Sequence, residues 1–304
     1  MNQHTFPPLS HEQIAHFLHH GHVVIPDCFS REFAENWTAN AFRRLGYDAH
    51  DPATWEKEIV HMPAAERVPM QEIAPKAWQA ACELLGGAER VAPCTWGNGM
   101  IVNFHKGADQ PWQPPSPNVP GWHKDGDFFR HFLDSPEQGL LTIVIWKDIA
   151  PQGGGTFAAC DSVAPVARLL AAHPEGVLPG GAPGASFSSL IHECREFIEL
   201  TGRVGDVVLI HPFVLHASSQ NHSGTARFIT NPPISLKEPM RFDRPDAADF
   251  SPVERAILNG LGVERLDFQP TAPRERIVSE GMKRKQKLLE EEQARLATAA
   301  GALA

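Results

Sequence analysis

Two histidines and one aspartate are spaced as the ligands of a metal ion could be. His123 and Asp125 are separated by one residue, and side chains at positions i and i+2 of an extended segment point to the same side. The two side chains could bind one metal ion while the Lys124 side chain faces away from it. A third ligand must come from another strand, and His216 follows a predicted strand at 206–210. Such a triad leaves positions open on Fe(II) for a chelating co-substrate and oxygen.

An arginine lies where it could serve the same pocket. Arg227 follows His216 by eleven residues, across a polar turn at 218–224. If this turn closes an antiparallel hairpin, positions 216 and 227 come close to opposite each other and share one face of the sheet. We therefore expect Arg227 to reach into the metal pocket. Its planar guanidinium could bind a carboxylate end-on through two parallel charged hydrogen bonds.

The surrounding chain is predicted to be mainly β with flanking helices. Apolar stretches between turn signals predict short strands in a sandwich or barrel. These strands are expected at residues 100–104, 140–146, 196–200, 206–210 and 227–230. Helices are expected after Ser10, after Ser30, at about 75–85, after Ser251 and at about 274–296. We expect one domain, residues 1–304, with a helical part at 1–95, a β core at about 96–235 and a helical extension at 236–304.

Composition and charge exclude several classes of protein. The 304 residues carry a net charge of −9, and the basic run at 283–287 is followed at once by acidic residues 290–292, so we expect no nucleic-acid partner. No apolar stretch reaches the roughly 20 residues that cross a bilayer, and residues 1–10 lack a signal-peptide pattern. The five cysteines are scattered without a Cys-x-x-Cys pair, which fits a reducing cytoplasm.

The order of the motifs resembles the phytanoyl-CoA dioxygenase family. The matching residues are Gly-Trp-His-Lys-Asp-Gly at 121–126, Gly-Gly-Gly-Thr at 153–156, and Gly-Asp-Val-Val at 205–208, followed by His216, Ser218, Asn221 and Arg227. The family comprises iron(II)- and 2-oxoglutarate-dependent oxygenases. The resemblance, over about residues 10–235, implies a double-stranded β-helix core of the jelly-roll, cupin-like type. It also implies Fe(II), 2-oxoglutarate and O2 as cofactors.

Carried over residue by residue, the resemblance assigns roles to the site. It makes His123, Asp125 and His216 the iron ligands, and Arg227 the partner of the distal carboxylate of 2-oxoglutarate. Further residues expected to line the co-substrate pocket are Trp146, Thr142, Met100 and Asn103. Residues expected on the substrate side are Trp122, Phe128 and Lys124.

Two departures from the family pattern concern the substrate. Lys124 stands where the family often has Gln, and 160–163 read Cys-Asp-Ser-Val where the family usually has a Gly-Ser-His run. The second region tends to shape substrate access, so the sequence leaves the identity of the substrate open. Residues after 235 lie outside the matched motifs.

Three functions are compatible with these residues. The first is an oxygenase that oxidises, by default hydroxylates, a C–H bond of a small molecule and releases succinate and CO2. The second is a zinc-dependent hydrolase or isomerase on the same two histidines and aspartate, which leaves Arg227 without a role. The third is a non-catalytic β-barrel that binds a small molecule. The expected partner is a small molecule, with no nucleic acid and no membrane, and the sequence does not define the oligomeric state.

Overall fold

The computed structural model describes residues 6–179 and 186–301, with side chains described as far as residue 295. The helices are α1 (His11–His20), α2 (Arg31–Leu45), α3 (Met70–Ile73), α4 (Pro75–Leu85), α5 (Val163–Ala172), α6 (Pro252–Leu261) and α7 (Glu280–Gly301). The strands are β1 (His22–Ile25), β2 (Ile59–His61), β3 (Arg67–Pro69), β4 (Thr95–Gly97), β5 (Ile101–Asn103), β6 (Leu140–Ile145), β7 (Thr156–Ala159), β8 (Phe197–Leu200), β9 (Val207–Ile210), β10 (Leu215–Ser218), β11 (Arg227–Thr230) and β12 (Pro233–Ile234).

The strands form antiparallel sheets, so the prediction of a mainly β protein with flanking helices is confirmed. The larger sheet has seven strands in the order β1-β9-β6-β11-β5-β2, with β12 also paired to β6. The smaller sheet has three strands in the order β10-β7-β8, and β3 pairs with β4 separately. The side chains of β6 and β9 are buried along their whole length, so these strands lie in the core.

The first helix begins and ends where the sequence predicts. The Ser10 hydroxyl accepts a hydrogen bond from the backbone N–H of Gln13 at 3.1 Å, and the Gln13 side chain accepts one from Ser10 N at 2.9 Å. Gly21 ends the helix with a φ of 68°, where a Cβ would lie 2.6 Å from Val214. The chain then enters β1, whose His22 pairs with Ile210 of β9.

Helices cover one flank of the larger sheet. Helix α6 contacts α1, α4 and α5, and α1 and α4 also contact β1. Helix α2 packs through Trp37, whose ring stacks on Trp146 with 4.7 Å between centroids. Among the described residues, no helix is both long and apolar enough to span a membrane.

The prediction of a hairpin between His216 and Arg227 is wrong. Strand β10 pairs with β7 in the smaller sheet, whereas β11 pairs with β5 and β6 in the larger one. The intervening turn therefore crosses between sheets. The Asn221 amide fixes it there by donating to the carbonyl oxygens of Asn103 at 2.9 Å, Phe104 at 3.1 Å and Thr225 at 2.8 Å.

The last helix begins later than predicted. Helix α7 starts at Glu280 instead of near residue 274. Residues 275–277 are held in an extended segment, because Arg130 N donates to Glu275 O at 3.0 Å and Ile277 N donates to Phe128 O at 2.8 Å. These long-range backbone bonds override the helical tendency of the segment and lay it beside residues 128–130.

Candidate metal centre

The three predicted ligands lie together. His123 Nε2 is 3.4 Å from Asp125 Oδ1, and His216 Nε2 is 3.6 Å from Asp125 Oδ2. One ligand atom from each of the three side chains lies within 4.8 Å of the others. Donor atoms that each lie about 2 Å from the same ion are themselves only a few ångströms apart. The three groups can therefore share a cation after small side-chain movements.

Backbone pairing brings the two histidines to this position. His123 N donates to His216 O at 3.0 Å, and His216 N donates to His123 O at 3.0 Å. Each ring also places Nδ1 beside a carbonyl oxygen, of Gly121 at 2.8 Å for His123 and of Val214 at 3.2 Å for His216. A proton on Nδ1 satisfies these carbonyls and leaves the Nε2 lone pair free for a metal ion.

The residues fit a bound cation. His216 Nε2 is buried and has no hydrogen-bond partner among the described residues, although it faces the Asp125 carboxylate. A buried acceptor facing another acceptor is unfavourable unless a positive group lies between them. Two imidazoles and one carboxylate with open positions are the donor set that suits Fe(II) in oxygenases.

The charges of the site also favour a bound cation. Burial opposes ionisation of Asp125, yet the charge of His216 and the hydrogen bond from His123 hold the pKa of Asp125 well below its ordinary value. Burial also opposes protonation of His123, but the hydrogen bond and charge of Asp125 raise the pKa of His123. The carboxylate thus favours positive charge on the His123 ring, and a metal ion can take the place of that proton.

Asn231 supports the carboxylate from the end of β11. Its Nδ2 donates to Asp125 Oδ2 at 2.9 Å. Nothing in the sequence singled out this residue, because an asparagine before two prolines is also typical of a turn.

Arg227 lines the same cavity as the three ligands. It is 3% exposed, with Nε donating to Gly154 O at 2.7 Å and Nη1 donating to Ile101 O at 3.2 Å. These bonds use two of its five N–H donors, and no ion-pair partner occurs among the described residues. Burial lowers the pKa of Arg227 to about 10, so the group stays charged at neutral pH.

The cavity holding these groups has a volume of about 540 Å³. The larger sheet contributes Ile101, Ile143 and Ile229, and the smaller sheet contributes Thr156 and Ser218. A space of this size, apolar on one side with a few polar groups converging, is typical of small-molecule sites.

Three of the residues expected in the co-substrate pocket lie elsewhere. Ile143 of β6 lines the cavity, and side chains alternate along a strand, so Thr142 and Trp146 point to the opposite face. Thr142 Oγ1 donates to Pro232 O at 2.7 Å, and Trp146 Nε1 donates to Thr230 Oγ1 at 3.1 Å. Met100 is fully buried and is not among the cavity-lining residues.

Asn103 also lies outside the cavity lining, although it pairs with Arg227. Its Nδ2 donates to Ser219 O at 3.1 Å, and its Oδ1 accepts from Lys106 N at 3.1 Å. Its amide therefore supports the turn after β10 instead of facing the co-substrate.

Lys124 faces away from the ligands, as the alternation of side chains predicts. Although it borders the cavity, its Nζ lies 3.0 Å from His131 Nδ1 and 5.6 Å from the centroid of the Phe129 ring. Burial lowers the pKa of Lys124 to about 7. The amine therefore occupies a core position behind the ligands instead of meeting a substrate.

The two aromatic residues expected on the substrate side do not line the cavity either. Trp122 is buried, and its Nε1 donates to Ser116 O at 3.0 Å. Phe128 packs on Phe129 with 4.9 Å between ring centroids. Both side chains support the segment that carries His123 and Asp125.

The C-terminal extension and β2 supply cavity residues that the sequence did not indicate. Lys285 of α7 and His61 of β2 both border the cavity. Burial, followed by the charge of Lys285 and then that of Arg227, lowers the pKa of His61. Lys285 and Arg227 therefore place positive charge near His61.

Comparison with known proteins adds one family match. The family model described as phytanoyl-CoA dioxygenase matches residues 180–229, of which 180–185 lie outside the described residues. The match confirms the resemblance to this family that the motifs predict. No curated protein matches the chain.

Several solved structures are similar to this chain at low identity. HygX from Streptomyces hygroscopicus with nickel and 2-oxoglutarate bound is 14% identical, with 76% of this chain and 88% of that chain covered and a TM-score of 0.45. The carbocyclase SnoK from nogalamycin biosynthesis is 16% identical, with 75% and 84% covered and a TM-score of 0.46. EctD from S. alaskensis with 2-oxoglutarate and 5-hydroxyectoine is 18% identical, with 75% and 76% covered and a TM-score of 0.41.

Proposed function

We propose that this protein is an oxidoreductase of the phytanoyl-CoA dioxygenase family that uses Fe(II), 2-oxoglutarate and O2. In this proposal it hydroxylates a C–H bond of a small molecule and releases succinate and CO2. The observation that supports the proposal best is a shared cavity. His123, Asp125 and His216 converge there on one point, and Arg227 borders the same space. This arrangement offers a cation site and an anion site side by side.

The three ligands hold the iron in this proposal. His123 and His216 present Nε2, while Asp125 brings a negative charge that Asn231 orients. When bound, the iron with 2-oxoglutarate and O2 supplies an oxidant able to attack a substrate C–H bond. The protein contributes the ligand geometry and a partly apolar cavity wall formed by Ile101, Ile143 and Ile229.

Arg227 binds the distal carboxylate of 2-oxoglutarate in this proposal. The carbonyl oxygens of Gly154 and Ile101 hold its guanidinium in place, so little side-chain freedom is lost when an anion binds. A buried arginine without an acidic partner is costly on its own. A bound carboxylate would compensate for that burial.

A zinc hydrolase on the same residues remains the alternative, and its test is spectroscopic. Anaerobic Fe(II) and 2-oxoglutarate added to the metal-free protein should produce a visible charge-transfer band. The band should be lost in Asp125→Ala and weakened in Arg227→Leu at limiting 2-oxoglutarate. A chain that binds Zn²⁺ but gives no band with Fe(II) and 2-oxoglutarate would favour the alternative.

We propose further that the two facing sheets form a double-stranded β-helix within a single domain, residues 1–304. Its support is that both sheets are antiparallel and line one cavity between them. We also propose the cytoplasm as its location, since all five cysteines are free and buried.

A further inference from the structure

A second group of metal-binding side chains lies at the C-terminal end of α1. His16, His19 and His20 occupy positions i, i+3 and i+4 of the helix, which places them on neighbouring parts of one face. His22 follows after the turn at Gly21. Glu196, just before β8, completes what we call the α1 histidine cluster, consisting of these four histidines and Glu196. None of these residues borders the iron cavity.

Two pairs of side chains in the α1 histidine cluster have the spacing of neighbouring ligands on a metal ion. His20 Nδ1 lies 3.2 Å from Glu196 Oε2, and His16 Nε2 lies 3.3 Å from His22 Nε2. Donors about 2.0–2.1 Å from a tetrahedral Zn²⁺ are roughly 3.4 Å apart. One ligand atom each of His19, His20 and Glu196 lies within 4.8 Å of the other two.

The imidazoles of the cluster crowd one another. The ring centroids of His16 and His20 are 4.6 Å apart, and those of His19 and His20 are 4.5 Å apart. Burial, then the charges of His20 and His19, lower the pKa of His16, and burial foremost lowers the pKa of His22. Neutral imidazole is the form that binds a metal ion.

We propose that the α1 histidine cluster binds one divalent transition-metal ion of the Zn²⁺ or Ni²⁺ class through His19, His20 and Glu196. Imidazole and carboxylate donors suit these ions. The His16–His22 pair, next to His20, supplies further nitrogen donors. Because Glu196 precedes β8 and the histidines end α1, the ion would link the first helix to the edge of the smaller sheet.

Zinc equilibrium dialysis of the full chain tests this site. The background is the double variant His123→Ala/His216→Ala, which removes both nitrogen ligands of the iron site. This protein should still bind one equivalent of Zn²⁺, and its melting temperature should rise on Zn²⁺ addition, because a ligand that binds the folded state stabilises it. Adding His19→Gln and His20→Gln should abolish both effects.

The matched control is His11→Gln in the same background. His11 is an exposed histidine at the start of the same helix, outside the cluster. The proposal is overturned if the background protein binds no Zn²⁺, if the cluster variant binds as much as its parent, or if the His11 control loses binding equally. His19→Gln/His20→Gln alone should leave 2-oxoglutarate turnover unchanged, so this result is independent of the proposed oxygenase function.

Discussion

Asp125 lies between the two histidines of the candidate metal centre. Its two oxygens face His123 and His216 separately, and Asn231 donates to one of them. A hydrogen bond of this kind orients a ligand and adjusts its charge. The geometry therefore assigns distinct contributions to the ligand and to the residue that orients it.

Removing the Asn231 amide should weaken iron binding at the candidate metal centre without abolishing it. Asn231→Ala should lower iron affinity by about 10–100-fold, the usual effect of losing an outer-shell partner. Iron titration followed by the 2-oxoglutarate charge-transfer band would measure the change. Asp125→Ala should lose iron binding altogether while its circular dichroism stays native. An Asn231→Ala protein with wild-type iron affinity would contradict the role given to Asn231.

Replacing Arg227 should affect the co-substrate more than the metal. Arg227→Leu should raise the KM for 2-oxoglutarate by at least about 30-fold, because losing one partner of a buried charge pair costs about 2–5 kcal/mol. Iron loading should change little. Arg227→Lys should recover only part of the loss, since an ammonium lacks the planar fork. Equal damage to iron loading and to KM would count against this assignment.

The pH dependence of co-substrate binding follows from the same residue. Burial lowers the pKa of Arg227 to about 10, so the guanidinium is charged below that pH and loses its charge above it. Affinity for 2-oxoglutarate should therefore fall as the pH rises through about 10. Isothermal titration of the iron-loaded protein between neutral pH and that range would show the fall, and a flat profile would contradict it.

The sequence carried enough information to predict that His123, Asp125 and His216 come together, but not which residues form the cavity walls. His123, Asp125 and His216 were predictable because their residue types have strong metal preferences and one spacing rule joins two of them. Which face of β6 borders the cavity depends on the register with β9 and β11. A shift of one residue exchanges Thr142 for Ile143, and nothing local to the strand fixes that choice.

At the scale of elements, the turn between β10 and β11 positions the site. The apolar strands and the helix caps were predictable from local residues. The crossing between sheets was not predictable, because it depends on hydrogen bonds from the Asn221 amide to Asn103 and Phe104, more than 100 residues away in the chain. This long-range contact sends β11 to the larger sheet, where Arg227 still lines the cavity that holds His123, Asp125 and His216.

Removing that amide should destabilise the turn. Asn221 is 1% exposed, so Asn221→Ala leaves buried carbonyl oxygens without a donor. Each such loss costs about 1–3 kcal/mol, and the free energy of unfolding in urea should fall by at least that amount. Thr225→Ala, at the exposed side of the same turn, serves as the control and should stay within about 0.5 kcal/mol. Equal stability of Asn221→Ala and wild type would contradict the turn's role.

At the scale of the whole molecule, the C-terminal part joins distant regions. Residues 275–277 lie beside 128–130, and Glu292 of α7 pairs with the buried Arg44 of α2, with Arg44 Nε 2.6 Å from Glu292 Oε1. Lys285 lies between these two attachments and borders the cavity. The extension thus forms part of the cavity wall as well as part of the packing.

The Glu254 carboxylate forms deeply buried ion pairs in this part of the molecule. Its side chain is 0% exposed, pairs with Arg90 and Arg244, and accepts from the backbone N–H groups of Arg241 and Ser251. Glu254→Gln should cost about 3–5 kcal/mol of the free energy of unfolding, because both arginines lose their anion. Glu238→Gln, an exposed neighbour, is the control. Chemical denaturation would compare the two variants.

The pH dependence of this link has a defined sign. Burial opposes ionisation of Glu254, but hydrogen bonds from Arg90 and Arg244 lower its pKa below the ordinary value of 4.5. The stabilisation is therefore fully present above that value and is lost as the pH falls through the folded-state pKa. Stability of the wild type should drop more steeply in acid than that of Glu254→Gln, and parallel acid profiles would contradict the link.

Succinate release from 2-oxoglutarate tests the proposed chemistry most directly. The iron-loaded protein, supplied with O2 and a metabolite pool, should release succinate and CO2 in equal amounts, and Asp125→Ala should release neither. Failure of the iron-loaded wild type to form succinate with any pool, or equal formation by Asp125→Ala, would contradict a 2-oxoglutarate oxygenase built on these ligands.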